Sequence, residues 1–178
     1  YGPEQEELAR MRLLARAGRQ KEAAEIARAL FPDGPPQTGM LGSEYYRIMA
    51  GTQSDAAQAA QTRQAVDAMY ARTGDADYRL VALEMEQARG APAPALAVAL
   101  EQLAQDPGVD VYRLRDLWRR VLERLEPSVP TQQRLQAYLR RYPDDSAVLG
   151  LLRDASDPAL LALAAAQQAL DADNLVQA

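Results

Sequence analysis

Two short stretches of this chain carry the residue types that take hydroxyl-rich ligands: Tyr46-Arg47, and Tyr112-Arg113 followed by Asp116. Tyrosine rings stack on the C–H faces of sugar rings, while guanidinium and carboxylate groups take the hydroxyls. Tyr46 and Tyr112 each lie one residue off an apolar stripe, about 100° around a helix, which makes them the candidates to project into a groove. The plainer alternative is an ordinary exposed tyrosine. Tyr45, Trp118 and Tyr138 fall inside apolar stripes and are assigned to core packing.

Other chemistry is scarce. The chain has no His and no Cys, which removes the imidazole base, the thiolate nucleophile and the two favoured zinc ligands. Asp75-Ala-Asp77 and Asp171-Ala-Asp173-Asn174 begin like calcium loops but lack the glycine and the closing glutamate, so they read as helix ends and no metal site is assigned. The remaining carboxylates are spread at helical spacing among arginines, as on a solvated face, rather than as an acid–base pair. Arg113, Arg115, Arg119, Arg120 and Arg124 spread around one helix and read as a solvated face paired with Asp116, Glu123 and Glu126. No catalytic residue and no cofactor is expected.

A net charge of −5 opposes nucleic acid and anionic membrane surfaces, and no apolar run reaches the roughly 20 residues of a membrane-spanning helix. The Tyr1-Gly2-Pro3 start, without initiator Met or signal peptide, reads as an excised or processed piece.

The elements that position these residues are helices, and they recur. Four amphipathic stretches close on a large apolar residue and then a breaker: Leu30-Phe31-Pro32, Met69-Tyr70 before Gly74, Leu103 before Pro107, and Leu139 before Pro143. The closures fall roughly 40, 33 and 36 residues apart, near the period of tetratricopeptide repeats. This predicts an all-α, tetratricopeptide-like right-handed α-solenoid spanning 1–178, with helix pairs over 4–31, 39–72, 76–105 and 110–142 and capping helices over 146–172. Gly18 and Gly90 take the turn position, Ala23 and Ala95 the small residue five positions later, and Leu103, Pro107 and Pro143 the closing positions. A small residue at Ala23 and Ala95 lets two helices of a hairpin approach closely. The proline-rich breaks at Pro32–Pro36 and Pro127–Pro130 are candidate hinges.

The order Leu30-Phe31-Pro32-Asp33-Gly34-Pro35-Pro36, then Ser43-Glu44-Tyr45-Tyr46-Arg47-Ile48-Met49-Ala50, resembles the tetratricopeptide region of the bacterial cellulose synthase operon protein C family. The similarity continues through Ala65-Val66, Gly90, Leu100-Glu101-Gln102-Leu103, Ala137-Tyr138-Leu139 and Ser156-Asp157-Pro158. It departs where Arg, Ala or Gln stands at positions of Lys and Asn in enterobacterial relatives.

The resemblance implies a non-catalytic periplasmic scaffold for cellulose assembly and export, preceding an outer-membrane barrel absent from this chain. Its partners would be cellulose synthase components, with the glucan chain or peptidoglycan as further contacts. The alternative is a tetratricopeptide adaptor that binds a protein or peptide in another secretion system.

Overall fold

The structure is a computed structural model that describes residues 2–36 and 40–177. Among the described residues there are ten helices and no strand, so the fold class is all-α. In chain order they are α1 (Pro3–Arg16), α2 (Gln20–Leu30), α3 (Met40–Ala50), α4 (Ala56–Thr73), α5 (Ala76–Ala88), α6 (Ala93–Leu103), α7 (Val111–Leu122), α8 (Val129–Arg141), α9 (Ser146–Ala155) and α10 (Pro158–Gln177). The chain divides into two compact units. One runs to Arg89 and adds Gln102–Val111; the other comprises Gly90–Glu101 and the chain from Tyr112 onward.

Several helix starts follow from side chains that accept otherwise orphaned N–H groups, although α1 and α2 have no such cap. Asp55 accepts from Ala57 N–H (2.9 Å), Asp75 from Asp77 N–H (3.0 Å), Ser128 from Thr131 N–H (3.1 Å) and Asp145 from Val148 N–H (3.3 Å). Gly18 and Gly90 both sit at φ +77°, a left-handed conformation that a Cβ disfavours. Pro130, expected in the break, lies instead in the first turn of α8, where its missing N–H costs nothing. The expected start of the third helix at Gly39 lies outside the described residues, as does Tyr1.

In the first unit, α1 packs on α2, α2 on α3, α3 on both α4 and α5, and α4 on α5. Ala23, Ala24 and Ala27 are fully buried beside Met11, Ile48 and Met49, and these small side chains let the helices approach closely. A second cluster joins Val66, Met69, Tyr78, Val81, Ala82 and Met85, with Tyr46 packed against it. Gly42 is buried because the Tyr78 hydroxyl and the Pro36 carbonyl occupy the space a Cβ would need.

The second unit buries Leu114, Leu117, Trp118, Val121 and Leu122 of α7, Leu135, Tyr138 and Leu139 of α8, and Val148 of α9. Trp118 and Tyr138 meet edge to face, with centroids 5.0 Å apart. Helix α10 buries no side chain fully and touches α9.

Ala95 does not fill the small-residue position. Helix α6 begins three residues after Gly90, whereas α2 begins two after Gly18, and this extra residue rotates the helix. Ala93, Leu96, Ala97 and Leu100 turn inward and Ala95 is exposed. Leu103 ends α6 as a buried residue, and Pro107 and Pro143 lie exposed in the turns that follow α6 and α8.

Candidate functional site

Helices α2, α3 and α4 of the first unit enclose an open cavity of about 650 Å³, within the range of roughly 300–1,000 Å³ usual for ligand sites. Lys21, Ala24, Glu25 and Arg28 of α2 form one wall. Tyr45, Tyr46 and Met49 of α3 form the second, and Gln58, Gln61, Thr62 and Ala65 of α4 the third, with Pro35, Thr52 and Gln53 contributed by loops.

Helical spacing explains the convergence. Lys21, Ala24, Glu25 and Arg28 recur at i, i+3, i+4 and i+7, one face of α2, and Gln58, Gln61, Thr62 and Ala65 repeat that pattern on α4. The aromatic wall is held rigidly. Phe31, Tyr45, Tyr46 and Tyr78 form a run of edge-on contacts, with successive centroids 6.2, 5.7 and 6.2 Å apart. Burial raises the pKa of Tyr46, helped by Tyr45 and opposed by Arg72, so its hydroxyl stays protonated at neutral pH and can donate. Thr62 donates to Gln53 Oε1 at 2.8 Å, which fixes that amide, and Thr52 donates to the Met49 carbonyl at 2.8 Å.

The five candidate contacts separate between the two units. Tyr46 lines the cavity while also packing on the core, and its neighbour Tyr45, assigned to scaffold, lines the cavity too. Arg47 is absent from the lining. Its guanidinium grips both carboxylate oxygens of Glu84 at 2.8–3.1 Å, tying α3 to α5. Tyr112 is 85% exposed on α7 of the second unit, and Asp116 on the same helix pairs with Arg120 at 2.8 Å. Arg113 is half-buried there.

A second polar constellation surrounds Asp145, buried between α7 and α8 at the start of α9. Tyr138 donates to its Oδ2 at 2.7 Å, and Arg115 and Arg119 approach the same oxygen at 3.6 and 3.5 Å. Arg115 also lies over the Tyr142 ring, 4.3 Å from its centroid. Burial by itself raises the Asp145 pKa; the Tyr138 hydroxyl, the Val148 N–H and the two guanidiniums outweigh it and hold the carboxyl below its ordinary value. The expected solvated face paired with Asp116, Glu123 and Glu126 therefore does not describe Arg115 and Arg119, which stay partly exposed but have Asp145 as their carboxylate. Their guanidinium groups offset the charge of a buried carboxylate.

Of the two acidic motifs read as helix ends, only the one at Asp75 is one; Asp171-Ala-Asp173-Asn174 runs inside a continuous helix. Asp75 starts α5, and Asp77 accepts the Asp110 N–H at 3.0 Å. Asp171 and Asp173 lie within α10. Among the described residues, no helix is long and apolar enough to cross a membrane.

Lys21, Glu25, Arg28, Gln53, Gln58 and Gln61 were not expected at a site. Only the i, i+3 spacing of Gln58 and Gln61 in the Ala/Gln-rich helix hinted at a shared polar face.

No protein family, curated protein or solved structure matches this chain.

Proposed function

We propose that this chain is a non-catalytic scaffold, a tetratricopeptide-like right-handed α-solenoid, whose first unit holds an extended glycan chain in polysaccharide assembly and export. The observation that carries the reading is the cavity wall pairing Tyr45 and Tyr46 with the Gln53, Gln58 and Gln61 amides. Aromatic rings and amides together suit ring C–H faces and hydroxyls.

Recurring tethers support the repeat architecture. Arg12 pairs with Glu44 and Arg47 with Glu84, each linking the first helix of one pair to the first helix of the next. Arg89 donates to the Ala56 carbonyl and Arg124 to the Ala91 carbonyl, with donors and acceptors each shifted by 35 residues. Such arrays bind extended partners along a continuous face. The resemblance to the cellulose synthase operon protein C family adds the setting: periplasmic, beside an outer-membrane barrel and the synthase components, with glucan or peptidoglycan as the polymer.

The test is titration of the folded chain with soluble glycan fragments, cello-oligosaccharides and peptidoglycan strands, followed by NMR at cavity residues. Shifts confined to the cavity and reduced by Gln58→Ala with Gln61→Ala are expected. Absence of binding to either fragment class overturns the reading. Binding of an extended peptide alone would favour the adaptor alternative, for which the amide-lined wall is also chemically suited.

A further inference from the structure

Several arginines of the first unit are already committed to carboxylates: Arg12, Arg19, Arg47 and Arg63 each pair with one. Lys21, Glu25 and Arg28 make no ion pair among the described residues. The lining thus carries two cations and one carboxylate in a chain whose net charge is −5. A locally cationic wall inside an acidic protein attracts anions that the rest of the surface repels.

The order along α2 adds specificity. Lys21 and Arg28 are seven residues apart, two turns or about 10.5 Å of rise, and Glu25 lies between them on the same face. The sequence of charges along the wall is positive, negative, positive. A dense polyanion such as a phosphate cluster is repelled at the centre by Glu25. A glycan with acids set one disaccharide apart fits instead: each carboxylate meets one cation, and the hydroxyls between them donate to Glu25. Tyr45 and Tyr46 offer ring faces from the second wall, and Gln58 and Gln61 offer amides from the third.

We propose that the cavity selects an acidic glycan, one bearing carboxylates at about disaccharide spacing, over a neutral glucan, with Lys21 and Arg28 as the two carboxylate-binding residues. This rests on the glycan-binding reading above and names its ligand class.

The experiment measures binding of the full chain to three probes at low and at moderate salt: a hyaluronate hexasaccharide, whose acids alternate with neutral sugars; cellohexaose, which has none; and a poly-glutamate peptide, which has acids without sugar rings. Hyaluronate is expected to bind about tenfold tighter than cellohexaose at low salt, with the advantage shrinking as salt rises. Lys21→Gln and Arg28→Gln should each weaken hyaluronate several-fold and leave cellohexaose unchanged, while Glu25→Gln should alter binding of both sugars. All three side chains are outside the buried core, so each variant should fold, and circular dichroism is the check.

Equal affinity for the two hexasaccharides, or indifference of hyaluronate binding to both cation substitutions, overturns the charge selection while leaving glycan binding standing. Poly-glutamate bound as tightly as hyaluronate overturns recognition of the sugar. Binding to neither hexasaccharide overturns the charge selection, and the glycan reading falls with it when peptidoglycan strands also fail to bind.

Discussion

The Tyr138 hydroxyl donates to Asp145 Oδ2 at 2.7 Å, and the other oxygen of that carboxylate accepts the Val148 N–H at the start of α9. One buried carboxylate thus fastens α8 to α9 while Arg115 and Arg119 of α7 balance its charge. Because the folded-state pKa of Asp145 is lowered, its contribution is present above the ordinary carboxylate pKa, about 4, and is lost as pH falls through the folded value. Asp145→Asn should therefore destabilise the protein by about 3 kcal/mol at neutral pH, the scale of an orphaned buried partner. Denaturant unfolding from pH 7 down to pH 2 checks this. The gap between variant and parent should narrow below about pH 4, and a constant gap across the range would refute the assignment.

Gly42 and Tyr78 make a second relationship that can be tested. A Cβ at position 42 would run into the Tyr78 hydroxyl and lie 2.7 Å from the Pro36 carbonyl. Gly42→Ala should cost about 1–3 kcal/mol by overpacking. The Tyr78 hydroxyl is buried without a hydrogen-bond partner among the described residues, so Tyr78→Phe alone should be close to neutral. The double variant should recover part of the loss, and strict additivity in a double-mutant cycle would show that the two side chains do not collide.

The Arg47–Glu84 pair is bidentate and about four-fifths buried at both side chains. Removing it through Glu84→Gln should cost about 1–2 kcal/mol, more than an exposed ion pair, by thermal or chemical unfolding. Ligand binding in the cavity should survive, because Arg47 is outside the lining.

Trp118 and Tyr112 share helix α7 but not a face. Trp118 is 4% exposed and Tyr112 85%. Trp118→Ala should destabilise by about 3–5 kcal/mol and Tyr112→Ala by no more than about 0.5 kcal/mol, measured by unfolding of the same preparations. Comparable losses would contradict the packing of α7.

Helix existence was legible where apolar periodicity was strong, and α7 is the clearest case: its stripe places Leu114, Leu117, Trp118, Val121 and Leu122 in the interior. The start of α5 was legible too, since Asp75 read as a helix end and caps that helix. The exposure of Ala95 was not legible, because it depends on one extra loop residue that rotates α6. The role of Arg47 was also hidden. A guanidinium beside Tyr46 in sequence points about 100° away from it on a helix, and only the packing of α3 on α5 supplies Glu84.

What the sequence by itself determined is the all-helical class, the approximate helix limits and most of the buried stripe residues, since period, caps and breakers act over a few residues. What only the tertiary structure decided is which polar faces meet. The cavity draws Lys21 and Arg28, Tyr45 and Tyr46, and Gln58 and Gln61 from three helices, and the Asp145 cluster draws on α7, α8 and the start of α9. Each polar group is locally indifferent to its face, and its partner is set by how whole helices rotate and pack around their small residues.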